Sequence, residues 1–211
     1  MSLICNVKPP FTMALPGQEN IDLYDRVDTP IATGSAHLMR AGAELHLVLS
    51  DLELDDLRQA AVRVSCAAAA IRAALAEYDN SHTIAQELGF YAVHDDRLRS
   101  IGGGTFRVRE ILDEACGLGL VTLDRESLNA IDRRFEEGGD ELAFSHFISE
   151  LREFSTELDN FDRVAATAEP LAWQQFPWKA ITRFDRIRIY GQALAIINVL
   201  GTVGETAAVN V

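Results

Sequence analysis

Two long seams of apolar residues constrain the fold of this chain more than any other feature. In each seam the spacing alternates between three and four residues, which keeps one stripe of an α-helix facing a partner helix. The first seam consists of Leu54, Leu57, Ala61, Val64, Ala68, Ile71, Leu75 and Tyr78, and the second of Phe144, Phe147, Leu151, Phe154, Leu158, Phe161 and Ala165. Together they predict an all-α fold in which long helices pack as an antiparallel bundle.

Capping and breaking residues divide the chain into about four long helices. We expect a first helix over 33–52, a second that carries the first seam, a third that follows Gly138 and Gly139, and a last over 178–200. Asn80 or Ser81 can cap a short helix that ends near Gly89. Asp124 is a good N-cap for another shorter helix that ends near Phe135, because its carboxylate can accept hydrogen bonds from first-turn amides.

Prolines and short patterns set the expected domain organisation. Residues 1–30 hold four of the six prolines, which predicts an extended N-terminal arm. Residues 31–211 are interpreted as a single helical domain, within which 81–138 form an insert of short helices. In that insert, 106–118 reads as a helix, although 105–108 also alternate like a short strand.

Charge and cysteine content disfavour several classes of function. Nineteen basic against 32 acidic residues give a formal charge of -13, which repels nucleic acid and anionic membranes. The three cysteines form no Cys-x-x-Cys pair, and the N-terminus does not resemble a signal peptide. The most apolar stretch, 189–204, is shorter than the roughly 20 residues of a membrane span. We therefore expect a cytoplasmic protein without a membrane span.

An arginine- and glycine-rich segment over 97–109 is a candidate site for an anionic ligand. It carries four arginines and no acid. Backbone N–H groups of a glycine loop, with arginine forks beside them, can hold a phosphate or a carboxylate. The segment matches neither the Walker pattern nor the dinucleotide-binding pattern. The alternative is a flexible glycine linker whose arginines pair with the abundant surface acids. The candidate ligand-binding residues are Arg97, Arg99, Gly102, Gly103, Gly104, Arg107 and Arg109.

His37 and Arg40 lie three residues apart on the first predicted helix and share one face of it. A histidine followed by a basic residue at this spacing resembles the phosphoacceptor helix of histidine phosphotransfer bundles. The resemblance implies that His37 takes a phosphoryl group and that Arg40 helps to offset its charge. The family's glycine after the basic residue is Ala41 here. The alternative is a surface histidine beside an ordinary pair of Arg40 and Glu44.

The same helix contains Arg40 and His46 in the order arginine, five residues, histidine. This order resembles the nuclease signature of HEPN-type helical RNases. That family usually has a polar residue directly after the arginine, where this chain has Ala41. The acidic surface also suits RNA poorly.

A ladder of His146, Glu150, Glu153 and Glu157 lies on the polar side of the second seam. Such residues on facing helices can bind iron or manganese, but the sequence has no Glu-x-x-His motif, so a solvated face is the preferred interpretation. No cysteine has an identifiable base. We predict no metal, no cofactor and no catalytic residue.

Continuous packing seams, strong acidity and the lack of a convincing catalytic motif favour a non-catalytic regulatory or interaction protein. Its expected partner is another protein or a second copy of itself. The first alternative is a protein that binds a small anionic ligand or transfers a phosphoryl group. The second is a HEPN-like RNase.

Overall fold

The computed structural model describes residues 18–91, 108–119, 122–167, 173 and 178–208. Over these residues the chain forms five helices and no strand. The helices are α1 (Gln18–Glu53), α2 (Leu57–Glu87), α3 (Val108–Gly117), α4 (Arg125–Ala165) and α5 (Trp178–Ala208). The prediction of an all-α fold is confirmed.

The four long helices pack around one core, in which α1 and α4 each contact both α2 and α5. Contacts along α1 and α2 run in opposite sequence directions, since Ser81 meets Val27 whereas Arg63 meets Glu44. The other pairs of neighbouring helices show the same antiparallel order. For α2 and α4 the contacts are Gln86–Glu141 and Ser65–Asp162. For α4 and α5 they are Phe147–Tyr190 and Phe154–Phe184, and for α1 and α5 they are Met39–Gln192 and His46–Asp185. The short helix α3 packs on α4 and α5.

The two seams form most of the core between these helices. From Leu57 to Ala165 every seam residue is either buried or packed against the buried cluster. Leu54 is the exception, because its side chain is 78% exposed. It lies in the turn between α1 and α2, where the chain leaves the helical path, so the first seam begins only at Leu57.

The predicted extended arm is wrong over residues 18–30, which belong to α1. Pro30 lies inside this helix and removes one backbone donor. Val27 and Ile31 on either side of it are almost fully buried, and their burial offsets that cost. Residues 1–17 of the arm lie outside the described part of the chain.

A short helix that begins at Asn80 or Ser81 is also not observed, because α2 continues without a break to Glu87. Ser81 is fully buried and its Oγ donates to the Val27 carbonyl at 2.8 Å, so it joins two helices instead of capping one. In the described part of the expected insert, α3 at Val108–Gly117 matches the helix predicted over 106–118.

Asp124 caps α4 as predicted, since its carboxylate accepts a hydrogen bond from the Ser127 amide at 2.6 Å. This bond holds the pKa of Asp124 below its ordinary value. Gly139 interrupts α4 with φ 70° and ψ -167°, values that only glycine adopts readily. The helix therefore has two parts, one before and one after Gly139.

One described helix, α2, is long and apolar enough to cross a membrane by length and composition. Its most apolar 18-residue window has a mean hydropathy of 1.2, and 39% of that window is buried. The core helix of a soluble bundle satisfies the same criterion.

Candidate functional site

The reversal of α4 at Gly139 folds the first part of this helix back beside the second part. Arg134 consequently meets Glu150 across the reversal, although sixteen residues separate them. Their two hydrogen bonds, of 2.6 and 3.2 Å, form a bidentate pair, which fixes the guanidinium more firmly than one bond would. The guanidinium carbon also lies 4.7 Å from the centre of the Tyr190 ring on α5.

Tyr190 closes this arrangement from the α5 side. Its hydroxyl donates to the Ala143 carbonyl at 3.0 Å, and burial raises the pKa of the phenol above its ordinary value. Tyr190 therefore remains neutral and positions the Arg134 guanidinium between α4 and α5. Arg134 therefore links the two parts of α4 to each other through Glu150 and to α5 through Tyr190.

A cavity of about 360 Å³ lies beside Arg134 between the two parts of α4 and α5. Its volume is within the usual range of small-molecule sites. Ile131 and Ile187 contribute apolar surface, while Arg183 and Arg186 add positive charge. The remaining lining charges are acidic, from Asp124, Glu126, Glu150 and Glu153. The cavity thus offers an apolar surface with arginines on one wall and carboxylates around them.

A second polar cluster joins three helical segments around His82 of α2. The Tyr91 hydroxyl lies 2.7 Å from His82 Nδ1, and the Ser145 Oγ of α4 lies 3.3 Å from Nε2. Burial lowers the pKa of His82 and raises that of Tyr91. The imidazole and the phenol are therefore both neutral near pH 7.

Serine, histidine and tyrosine in hydrogen-bond contact have the outline of an activated nucleophile. The direction of both hydrogen bonds depends on which ring nitrogen of His82 carries the proton, because the Tyr91 and Ser145 hydroxyls can each donate or accept. With either tautomer the Ser145 contact joins α2 to α4.

The predicted anion-binding segment falls almost entirely outside the described residues, and only Arg109 is placed. Arg109 is the second residue of α3, and its guanidinium donates to Asn129 Oδ1 at 2.7 Å. It also lies 3.8 Å from Asp113 and 3.6 Å from Asp132. These contacts tie α3 to α4, which accounts for Arg109 without a ligand. Anion binding by the other six residues stays a prediction.

The predicted phosphoacceptor pair lies on α1, where His37 is half-buried and Arg40 is exposed. His46, which completes the nuclease-like order with Arg40, is exposed and lies 3.2 Å from a carboxylate oxygen of Asp185 on α5. Glu44 pairs with Arg63 on α2 at 3.0 Å. In the described residues, neither the resemblance to phosphotransfer bundles nor the resemblance to HEPN-type RNases is extended by an additional site residue.

The acidic ladder on α4 is used in ion pairs. Glu150 binds Arg134, while Glu153 and Glu157 both pair with Arg183 on α5 at 3.1 and 2.6 Å. His146 is exposed. Across the described ranges, no group of three or more histidine, cysteine, aspartate or glutamate side chains is arranged to hold a metal ion. Cys66 and Cys116 are half-buried free thiols.

The outward side of α2 is mostly exposed and largely uncharged. Val62, Ala69 and Ala76 are exposed along it, and Cys66 and Ala73 are half-buried. Charged side chains at its flanks bind the neighbouring helices, as Arg72 does with Asp159 of α4 and Arg63 with Glu44 of α1. We call Val62, Cys66, Ala69, Ala73, Ala76, Asn80 and Thr83 the outer face of α2.

Sequence reasoning missed both polar clusters, because each assembles residues that are far apart in the chain. His82 and Ser145 are 63 positions apart, and no short motif connects them. For the cavity a signal existed, namely the pair Gly138 and Gly139 in the middle of a helical pattern. This pair predicts the break between the two parts of α4, whereas the angle that brings Arg134 to Glu150 depends on how the two parts pack.

Comparison of the chain with protein-family models, with curated proteins and with solved structures finds no match.

Proposed function

We propose that this protein is a cytoplasmic, non-catalytic regulatory module that acts by binding another protein or a second copy of itself. The observation that carries the proposal is the outer face of α2, which has no charged residue over about six helical turns and is exposed at five of its seven positions. Exposed apolar surface framed by charged residues is typical of protein interaction sites.

The use of the polar residues supports the same proposal. The bidentate Arg134 and Glu150 pair holds the reversal of α4, and the His82 cluster joins α2 to α4. Both groupings hold helical segments together, whereas the residues of the outer face of α2 are not part of the buried core.

The experiment is capture of binding proteins by the full chain, followed by reconstitution with the purified candidate. Ala73→Glu puts a charge in the middle of the outer face, while the matched control Ala43→Glu puts the same charge on an exposed position of α1. We expect a reconstituted complex that Ala73→Glu abolishes and Ala43→Glu retains. Binding that survives Ala73→Glu would contradict the assignment of this face.

A small anionic ligand is a second candidate, favoured by the cavity beside Arg134. Arg183 and Arg186 line one wall of it, and the acids that pair with Arg183 are more than half exposed, so a ligand anion can replace them at small cost. Thermal stabilisation by AMP but not by adenosine, lost in Arg183→Gln/Arg186→Gln, would support it.

The predicted loop is tested in the same thermal-shift assay by replacing Arg97, Arg99, Arg107 and Arg109 together. The absence of a thermal shift with any phosphate compound would reject both sites.

A further inference from the structure

The outer face of α2 carries a second helical seam that points away from the core. Its positions are Val62, Cys66, Ala69, Ala73, Ala76, Asn80, Thr83 and Glu87. Their spacing alternates four and three residues for its whole length, which is the repeat of a coiled coil. None of the seven positions from Val62 to Thr83 is charged. The same helix thus has one seam for its own core and another with no partner in the described chain.

Small side chains set the geometry that this outer seam accepts. Ala69, Ala73 and Ala76 occupy its middle, so the backbone of another helix can approach to the short end of the usual 8 to 10 Å range, at roughly 8 Å. A close approach of this kind needs small residues on both helices. A second copy of the same seam meets that requirement.

The charges at the two ends of α2 give the direction of pairing. Arg58 lies on the outer side at the N-terminal end and Glu87 at the C-terminal end, and both are exposed. Neither forms an ion pair with another residue in the described ranges. In an antiparallel pair of α2 helices, Arg58 of each copy would meet Glu87 of the other.

The residues between these ends match in the same register. The midpoint between Arg58 and Glu87 falls beside Ala73, which places the two Ala73 residues across the symmetry axis. Moving outward from the axis, Ala69 meets Ala76, Cys66 meets Asn80, and Val62 meets Thr83, each within one residue of exact opposition. A face that is complementary to itself in both size and charge is what a twofold symmetric dimer requires.

We infer that two copies of this chain associate through their α2 helices, packed antiparallel about a twofold axis at Ala73, with Arg58 and Glu87 paired at both ends. The inference rests on the proposed interaction function and names its partner. A lipid surface fits less well, because Arg63 and Arg72 beside the face, together with Glu44 and Asp159, would have to enter the bilayer with it.

Sedimentation equilibrium of the full chain tests the inference. We expect a dimer for the wild type, a monomer for Ala73→Glu, and a dimer for the matched control Ala43→Glu. A wild type that stays monomeric at all concentrations would overturn the inference, as would a monomer that binds phosphatidylcholine vesicles through this face. Neither result decides the proposed function, which has a separate test, because reconstitution with a different protein does not need the dimer.

Exchange of the end charges tests the register without disturbing the small residues. Arg58→Glu and Glu87→Arg each create like-charge contacts at both ends, so each should raise the dissociation constant by roughly 3- to 30-fold. The double variant Arg58→Glu/Glu87→Arg should restore the wild-type value. A double variant whose dimer is as weak as those of the single variants would contradict the antiparallel pairing.

Cross-linking gives a direct reading of the twofold axis. In a chain with Cys5, Cys66 and Cys116 changed to serine, Ala73→Cys should form an intermolecular disulfide under mild oxidation, because its two copies face each other at close range. The control Ala43→Cys in the same background should not. A disulfide that forms equally at both positions would indicate random collision and overturn the proposed axis.

Discussion

Gly34 on α1 has a packing role that its helical position alone does not reveal. A Cβ atom there would lie 2.9 Å from the ring of Tyr78, whose side chain is fully buried and stacks edge-on against Phe147 at 4.7 Å. The ring has no space to move away. Gly42 is also inside α1, but a Cβ there would meet the flexible side chain of Arg188 at 3.0 Å.

We therefore predict opposite outcomes for two glycine-to-alanine changes in one helix. Gly34→Ala forces overpacking that costs about 1 to 3 kcal/mol, only partly offset by a helix-propensity gain of about 1 kcal/mol. Gly42→Ala should be neutral or stabilising. Urea unfolding of both variants measures the difference. If Gly34→Ala is as stable as Gly42→Ala, the close contact with Tyr78 is not restrictive.

His82 should make stability depend on pH through its hydrogen bonds to Tyr91 and Ser145. Burial lowers its pKa in the folded state, while the nearby carboxylates of Glu141 and Asp79 act in the opposite direction. In the unfolded chain the pKa is ordinary, about 6.5. The unfolded state thus binds the proton more readily, so the contribution is complete above about pH 6.5 and is lost as the pH falls through the folded value.

The check is the unfolding free energy of wild type and His82→Gln at pH 7.5 and pH 5.5. We expect the wild type to lose more stability than His82→Gln over this range, because glutamine has no proton to gain. His146→Gln is the control, since His146 is exposed on α4. An identical pH dependence in wild type and His82→Gln would show that this histidine does not couple folding to protonation.

At the scale of elements, the reversal within α4 decides whether the Arg134 cavity exists. Gly139→Ala places a side chain at φ 70° and ψ -167°, a conformation that costs about 1 to 3 kcal/mol for residues other than glycine. We expect that loss of stability in urea unfolding. Gly117→Ala is the control, because a Cβ there meets nothing within 4 Å. Equal stability of the two variants would mean that α4 does not need the reversal.

The elements themselves could be predicted where an apolar seam runs through them. Phe144 to Ala165 lie in α4 and Val64 to Tyr78 in α2 as their periodicity indicates, because burial of one stripe dominates helix energetics. The predicted start of α1 at residue 33 is wrong, because the buried side chains of Val27 and Ile31 favour a helix that continues across Pro30. The predicted helix start at Asn80 or Ser81 is wrong, because the buried Ser81 hydroxyl finds a tertiary acceptor and α2 continues past it.

At the scale of the whole molecule, the polar sites could not be predicted because they depend on how helices meet. The His82 cluster requires α2 and α4 to be antiparallel neighbours in one register, and the cavity requires the reversal at Gly139. The seams give no register between helices, since any sliding by one heptad preserves the apolar contact. The outer seam of α2, by contrast, is readable from the sequence once the inner seam has been assigned to the core.

The net charge of -13 leads to a prediction about the salt dependence of self-association. Two strongly acidic copies repel each other, and the range of this repulsion falls from about 30 Å at 0.01 M salt to about 8 Å at 0.15 M. The α2 seam is uncharged between its ends, so salt should weaken the repulsion more than it weakens the Arg58 and Glu87 pairs. We expect a tighter dimer at 0.15 M than at 0.01 M by sedimentation equilibrium. The double variant Arg58→Glu/Glu87→Arg has the same net charge, so its dimer should show the same salt dependence. If the wild-type dimer instead dissociates as salt is added, ion pairs and not the alanine seam hold the two copies together.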